Sequence, residues 1–259
     1  MKLSKILPAA VVMGMAALAS QPANAAYTFT GTADYFSVNS SANGDFKSTY
    51  SGPYGVYSNS VANTLNANGM PVYNPGYGGP ALVNVNASNQ LMWWTPGTND
   101  PAGTGNTMTV TQTGNDVPFT LPFADNSFFA PNGGGVNDNN AFLTAIFTGT
   151  LTLDAASTVT FSLGADDDAF LFVDGVSLLQ LGGIHEPTPV SVTSSVLGAG
   201  AHTVKLFYAD RNKSQAVLNF NITAVTNAVP EPSTWAMMIG GLALVGLSMR
   251  RRKTTVSFA

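Results

Sequence analysis

From residue 107 onward the chain is a succession of short apolar runs with no helical period between them, and this narrows its fold more than any other feature. The runs TMTVTQT, DVPFTLPF, AFLTAIFTGTLTL, STVTFSLG, AFLFVDG, PVSVTSSVL, AHTVKLFYA and AVLNFNITA are rich in Val, Thr, Phe and Leu and bounded by Gly, Asn, Asp or Pro. That is the composition of strands and their turns. Residues 158–163 alternate strictly, placing Val159, Phe161 and Leu163 on one face and Thr158, Thr160 and Ser162 on the other. Residues 201–208 and 216–222 do much the same. The expectation is an all-β chain, an antiparallel β-sandwich (jelly-roll-like) closed by burial of its two inner faces.

Composition limits the chemistry. The 259 residues include no cysteine, which removes disulfides, thiolate nucleophiles and cysteine-ligated metals. Only 9% of residues are charged, against about 25% in an ordinary soluble domain. Between residues 26 and 229 thirteen acidic residues face four basic ones, Lys47, Lys205, Arg211 and Lys213. Such a surface repels phosphate backbones, so nucleic acid is excluded as a partner.

Residues 37–106 hold 12 Asn, 10 Gly and 8 Ser, with Asp45, Lys47 and Asp100 as their only charges. Asn43-Gly44, Asn68-Gly69 and the prolines at 53, 71, 75, 80 and 96 punctuate short apolar stretches, as turns and long loops between strands require. Residues 26–116 are read as the Asn/Gly/Ser/Tyr-rich N-terminal part of the β domain, either a separate lobe or a completion of the same sandwich. Tyr50, Tyr54, Tyr57, Tyr73, Tyr77, Trp93 and Trp94 either pack these loops onto a sheet or stand exposed as platforms for sugar rings. Their spacing singles none of them out.

The two ends read as addresses. Residues 1–25 have a short cationic start, an apolar run at about residues 9–19 and small residues flanking Asn24. This is the pattern of a secretory signal peptide cleaved after Ala25, which brings the Sec translocase and signal peptidase as partners. At the other end VPEPS precedes an apolar stretch, residues 234–249, and then Arg250, Arg251, Arg252 and Lys253. Read as a transmembrane helix, sixteen residues rise ~24 Å, short of the ~30 Å hydrocarbon core unless the bilayer is thin there. The arginines keep the C-terminus cytoplasmic.

This tail, residues 227–259, resembles the PEP-CTERM sorting signal of Gram-negative bacteria. The resemblance implies anchoring at the inner membrane, processing by an exosortase near Pro230-Glu231-Pro232, and delivery to the cell surface or the extracellular polysaccharide matrix. An ordinary C-terminal anchor that is never cut shares every feature except the Pro-Glu-Pro.

Residues 164–175, GADDDAFLFVDG, followed by LGGIH at 181–185, form the most informative stretch. With FFAPNG at 128–133 before it, and LGAGAH at 197–202 and LFYADR at 206–211 after it, it is similar to the fibro-slime domain, a relative of the protective-antigen-type lectin-like β-sandwich. The likeness covers about residues 117–226. In the lectin relatives adjacent aspartates hold a calcium that bridges to the glycan, which here implies Asp166 and Asp167, with Asp168 beside them.

From the residues alone, an extended run sends Asp166 and Asp168 to one side and Asp167 to the other, three carboxylates within ~7 Å of chain. Their repulsion is relieved either by water in a hairpin turn or by a calcium ion, structural or glycan-bound. Asp174-Gly175 reads as a hairpin turn after a strand at 169–173. His185 and His202, each beside a turn, are either core histidines or a two-histidine metal site.

No catalytic residue emerges. Gly-x-Ser-x-Gly, a phosphate-binding loop and His-Glu-x-x-His are all absent, and Pro187 after His185-Glu186 forbids the helix a metalloprotease needs. The reading is a non-enzymatic exported protein that binds or is embedded in exopolysaccharide and supports adhesion, floc or biofilm cohesion. A self-assembling surface protein is the alternative, and a carbohydrate-active enzyme drawing an acid pair from Asp166, Asp168 and Glu186 the third.

Overall fold

The computed structural model describes residues 26–40, 44–47, 52–126, 141–227 and 232–250. The signal segment with Ala25, the stretch 128–133, Tyr50, Pro230, Glu231, Arg251 and Arg252 lie outside the described residues.

Among the described residues eleven strands form two antiparallel sheets. They are β1 (Tyr27–Ser40), β2 (Gly97–Asn99), β3 (Met108–Phe119), β4 (Phe123–Asp125), β5 (Ala141–Leu153), β6 (Ser157–Asp166), β7 (Asp168–Val173), β8 (Val176–Leu181), β9 (Thr188–Thr193), β10 (Gly200–Ala209) and β11 (Val217–Asn227). The larger sheet runs β2-β3-β1-β5-β10-β7-β8 and the smaller β4-β11-β6-β9. The expected antiparallel sandwich is what forms. The expected run TMTVTQT and the first half of DVPFTLPF merge into one strand, β3, while β1, β2 and β8 arise where no strand run was expected.

The alternation read at 158–163 governs the inner core. Val159, Phe161 and Leu163 of β6 and Leu218, Phe220 and Ile222 of β11 pack against Leu143, Ala145 and Phe147 of β5 and against Val204, Leu206 and Tyr208 of β10. A bulge in β11 between Ile222 and Ala224 shifts the phase, so that Val225 rather than Ala224 turns inward.

The central strands of the larger sheet do not alternate, because both of their faces are covered. Phe142, Phe170, Phe172 and Phe207 point away from the inner core into a second one, where Phe46, Val61, Tyr73, Leu82, Leu91, Trp93 and Trp94 of the N-terminal loops lie over them. Burial on both sides is what makes AFLFV a continuous apolar run. Most described aromatics of the Asn-rich segment are therefore packing.

Near the C-terminus Pro232–Arg250 is an α-helix, α1. Its side chains from Met237 to Leu247 are largely exposed, Met237 at 76% and Leu244 at 70%. Among the described residues no helix is long and apolar enough to cross a membrane. The apolar stretch read at 234–249 lies within this helix.

Candidate functional site

The acidic run stands where the chain leaves one sheet for the other. β6 ends at Asp166, opposite Val217 of β11, and β7 begins at Asp168, opposite Ala209 of β10. The peptide between Asp166 and Asp167 is cis. Two further sheet-to-sheet crossings, β8 to β9 at 182–187 and β10 to β11 at 210–216, meet it at the same end of the sandwich. Between them lies a cavity of about 290 Å³, lined by Asp166, Asp167, Ile184, His185, Glu186, Asn212, Ser214 and Tyr54.

The three carboxylates are not a solvated hairpin turn. Asp166, Asp167 and Asp168 are 3%, 1% and 0% exposed, and each meets a different environment. Asp167 Oδ1 accepts the His185 N–H (3.1 Å), and its Oδ2 accepts those of Arg211 (2.8 Å) and Asn212 (2.9 Å). One carboxylate thus fastens two crossings together. Asp168 accepts the Gly183 N–H at 2.7 Å and Arg211 Nη1 at 3.1 Å.

The expected trio of calcium ligands therefore divides, because Asp168 turns into the protein toward Arg211. Among the described residues no group of three or more His, Asp or Glu side chains is gathered to hold a metal. Asp166 and Asp167 alone face the cavity.

The electrostatics follow this division. Burial raises the Asp168 carboxyl to about 6 while the guanidinium pulls it back, so it is ionised at neutral pH. Arg211 is itself buried, yet Asp168, Asp45 and Asp167 hold it above its ordinary range. Asp166 is pushed up to about 9 by burial and then by the charges of Asp167 and Glu186. Asp167 is also raised, chiefly by burial, with the backbone N–H groups opposing. Two adjacent carboxyls in this state do not both ionise without a cation beside them.

Further side chains brace the site. Tyr208 donates its O–H to the Asp166 carbonyl at 2.6 Å. The Gln215 amide, nitrogen turned inward, donates to Glu186 Oε2 at 3.1 Å and Asp166 Oδ2 at 3.2 Å. Arg211 Nε donates to the Asp45 carbonyl at 3.1 Å, and its guanidinium lies 4.9 Å from the Trp93 ring centroid. Trp93 Nε1 in turn donates to Asp45 Oδ2 at 2.8 Å. Sequence reasoning missed Arg211, Asn212 and Asp45 as site residues, although the one arginine between residues 26 and 229, in so acidic a stretch, was a usable signal.

The histidines do not form a metal pair. His202 contacts Asp174 Oδ2 through Nδ1 (2.7 Å) and the Gly198 carbonyl through Nε2 (2.9 Å). His185 lines the cavity, its Nδ1 against the Glu186 carbonyl at 2.9 Å. A carbonyl only accepts, so Nδ1 carries a proton and donates it there. The His185 Nε2 is buried with no hydrogen-bond partner among the described residues.

Comparison with known proteins finds a likeness that spans these crossings. Residues 134–231 match the PA14 domain model, and residues 228–253 match the PEP-CTERM protein-sorting motif. Protein psiD of Dictyostelium discoideum is 28% identical over 184 residues, covering 64% of this chain and 36% of that protein. The chain thus spans about a third of that curated relative.

Among solved structures, the PA14 sugar-binding domain from an RTX adhesin aligns at 15% identity and TM-score 0.28, covering 76% of this chain and 99% of that one. The Epithelial Adhesin 9 A domain of Candida glabrata, in complex with Galb1-4GlcNAc, aligns at 11% identity and TM-score 0.31, covering 80% and 91%. The span that matches the PA14 domain model contains all three crossings around the cavity, and the match to the PEP-CTERM sorting motif follows it.

Proposed function

We propose that this is an exported, non-catalytic surface protein that binds extracellular glycan in the cavity at the end of its sandwich, with calcium held by Asp166 and Asp167. The PA14 match supports the carbohydrate part of this reading, and the PEP-CTERM motif supports export, with membrane anchoring before exosortase processing. The destination we infer is the extracellular polysaccharide, where binding would hold cells in a matrix, floc or biofilm.

One observation carries the reading: two adjacent buried carboxylates face an open cavity beside a buried nitrogen that has no partner. The donor set fits calcium, a hard cation that takes six to eight oxygens. Asp166 and Asp167 would supply carboxylate oxygens, while Asn212 and Ser214 bring further oxygens to the lining. When bound, calcium supplies open coordination positions for sugar hydroxyls. Asp167 pins the loops that shape the pocket, and Arg211 holds Asp168 out of it. This role is positioning and charge balance, and no proton or bond needs to move.

The test is a thermal melt of the full chain in detergent with calcium and with EDTA. Calcium at 100 times its dissociation constant stabilises by ~2.7 kcal/mol, a rise of roughly 5–10 °C for a chain of this size. Asp166→Asn is the variant to compare, because among the described residues the Asp166 carboxylate accepts the Gln215 side-chain amide and no backbone N–H, so the fold is expected to survive its neutralisation. The shift is expected in the wild type and not in the variant; a calcium-insensitive wild type counts against the reading. Release of reducing ends from a candidate polysaccharide would instead mark an enzyme.

A further inference from the structure

β8 is an edge strand of the larger sheet, and the N-terminal segment closes that edge. Tyr57 pairs with Gly182 and Thr64 with Val176 across it, and Ser177 N donates to the Asn63 carbonyl at 2.8 Å. Between these points the Gln180 carboxamide does what a strand backbone would. Its Oε1 accepts the Val61 N–H at 3.1 Å and its Nε2 donates to the Val61 carbonyl at 3.0 Å. A second run, residues 72–74, docks on this one: Ala62 N donates to the Val72 carbonyl at 2.7 Å and Asn74 N to the Ser60 carbonyl at 3.0 Å.

The two runs frame a cavity of about 350 Å³ that shares no lining residue with the first. Asn59, Asn63, Asn74 and Tyr73 bring polar atoms to it, and Val61 and Pro75 bring apolar surface. No charged residue is among the described residues that line it. Because its backbone is bonded to β8 and to itself, the cavity is formed before anything enters it.

Its polar groups are unspent. Tyr73 is only 9% exposed, its ring packed in the second core and edge to face with Tyr77 at 5.9 Å. Its hydroxyl nevertheless has no hydrogen-bond partner among the described residues, and neither do the carboxamides of Asn59 and Asn63. Other asparagines of these loops are used up by the fold. Asn66 Oδ1 accepts the N–H groups of Asn68 and Met70, Asn86 Oδ1 those of Ser88 and Gln90, and Asn74 is held between the Asn59 carbonyl (3.0 Å) and the Gly76 N–H (3.3 Å). A hydroxyl in so buried a side chain, bonded to nothing in the protein, is left for whatever fills the cavity.

The lining defines that occupant. A carboxamide sets a donor beside an acceptor, which matches a hydroxyl group that both donates and accepts. Carboxamides, a phenol and aliphatic surface with no charge suit a ligand that is neutral, dense in hydroxyls and carries C–H groups between them. The volume lies at the small end of the ~300–1,000 Å³ range of ligand pockets. We propose that this cavity is a second carbohydrate site, which takes a short neutral saccharide without a metal, its hydroxyls bonded by Asn59, Asn63 and the Tyr73 hydroxyl. The proposal goes beyond the calcium-dependent cavity and does not depend on it. Residues 59–75 lie outside the span 134–231 that matches the PA14 domain model, so this second site belongs to the chain's own N-terminal loops.

The experiment is a calorimetric titration of the full chain, in detergent and EDTA, with di- to tetrasaccharides of glucose, galactose and mannose, and with a uronate oligosaccharide for comparison. At least one neutral saccharide is expected to bind without calcium. Tyr73→Phe should weaken it about two- to tenfold, the scale of one hydrogen bond, and leave the melting temperature of the sugar-free chain unchanged, because that hydroxyl bonds nothing in the protein. The double variant Asn59→Ala, Asn63→Ala should lose on the order of tenfold or more, again without a change in melting temperature. Variants that bind like the wild type overturn the placement of the site, as does binding that appears only when calcium replaces EDTA, which would assign it to the first cavity. Preference for the uronate overturns the neutral class. A wild type that binds none of these saccharides in EDTA overturns the proposal, whereas a melt insensitive to calcium counts against the first cavity alone.

Discussion

His202 meets an acceptor at each ring nitrogen, the Asp174 carboxylate and the Gly198 carbonyl, and both contacts are donated only by the protonated ring. The Asp174 hydrogen bond, followed by the Gly198 carbonyl, raises its pKa above the ordinary 6.5. A folded-state pKa above the unfolded one stabilises fully below the unfolded value, and the contribution is lost as pH rises through the folded value. His202→Gln should therefore lower the melting temperature at pH 5.5, and the gap to wild type should close by pH 8.5. The pair is partly exposed, so the cost stays under about 1 kcal/mol; a gap independent of pH would show that the charge is not involved. At this scale the sequence was legible where chemistry is local. The acidic run announced a site, but the division of labour within it did not, because the partner of Asp168 is Arg211, 43 positions away.

Among the elements, the β7–β8 hairpin shows how a two-residue signal sets a register. Asp174 and Gly175 both take positive φ, 50° and 77°, and Val173 pairs with Val176 across them, as a type I′ turn between twisted strands requires. Gly175→Ala puts a Cβ into that left-handed conformation at a cost of roughly 1–2 kcal/mol. It should lower the melting temperature by about 2–8 °C and leave the calcium-induced shift intact, measurable in the same melt. Alternation identified β6, β10 and β11 because each keeps one face toward the inner core. β8 escaped, since its residues are mostly half-buried and present no two-residue period. β1 escaped for another reason: Asn-Gly and Ser-rich composition begins inside it, at Ser37, and hides a strand whose first half alternates Thr with Phe, Gly and Ala.

For the molecule as a whole, the question left open by composition has an answer: residues 27–119 complete the same sandwich, with β1 between β3 and β5. β5 pairs with β1 from Ala141 to Leu153 along its whole length, and the N-terminal loops cover Phe142, Phe170, Phe172 and Phe207. A fragment starting at residue 117 loses both, leaving a long unpaired edge and an exposed aromatic face. It should elute as aggregates in size-exclusion chromatography and bind an apolar dye, while the full chain stays dispersed in detergent. In the sequence this interdependence was only one of two open readings, because the loops that cover the sheet have no period and their aromatics no fixed spacing.

β11 begins opposite Asp166, at the cavity, and ends with Asn227 opposite Ser157, at the far end of the sandwich. The strand that precedes the C-terminal motif therefore ends remote from the cavity, and under the proposed function a pull between a bound sugar and that motif would run along β11. Force in that direction loads the β11–β6 ladder in shear, so its hydrogen bonds bear the strain together instead of opening one after another. The path of the chain makes β11 a tether in line with the load.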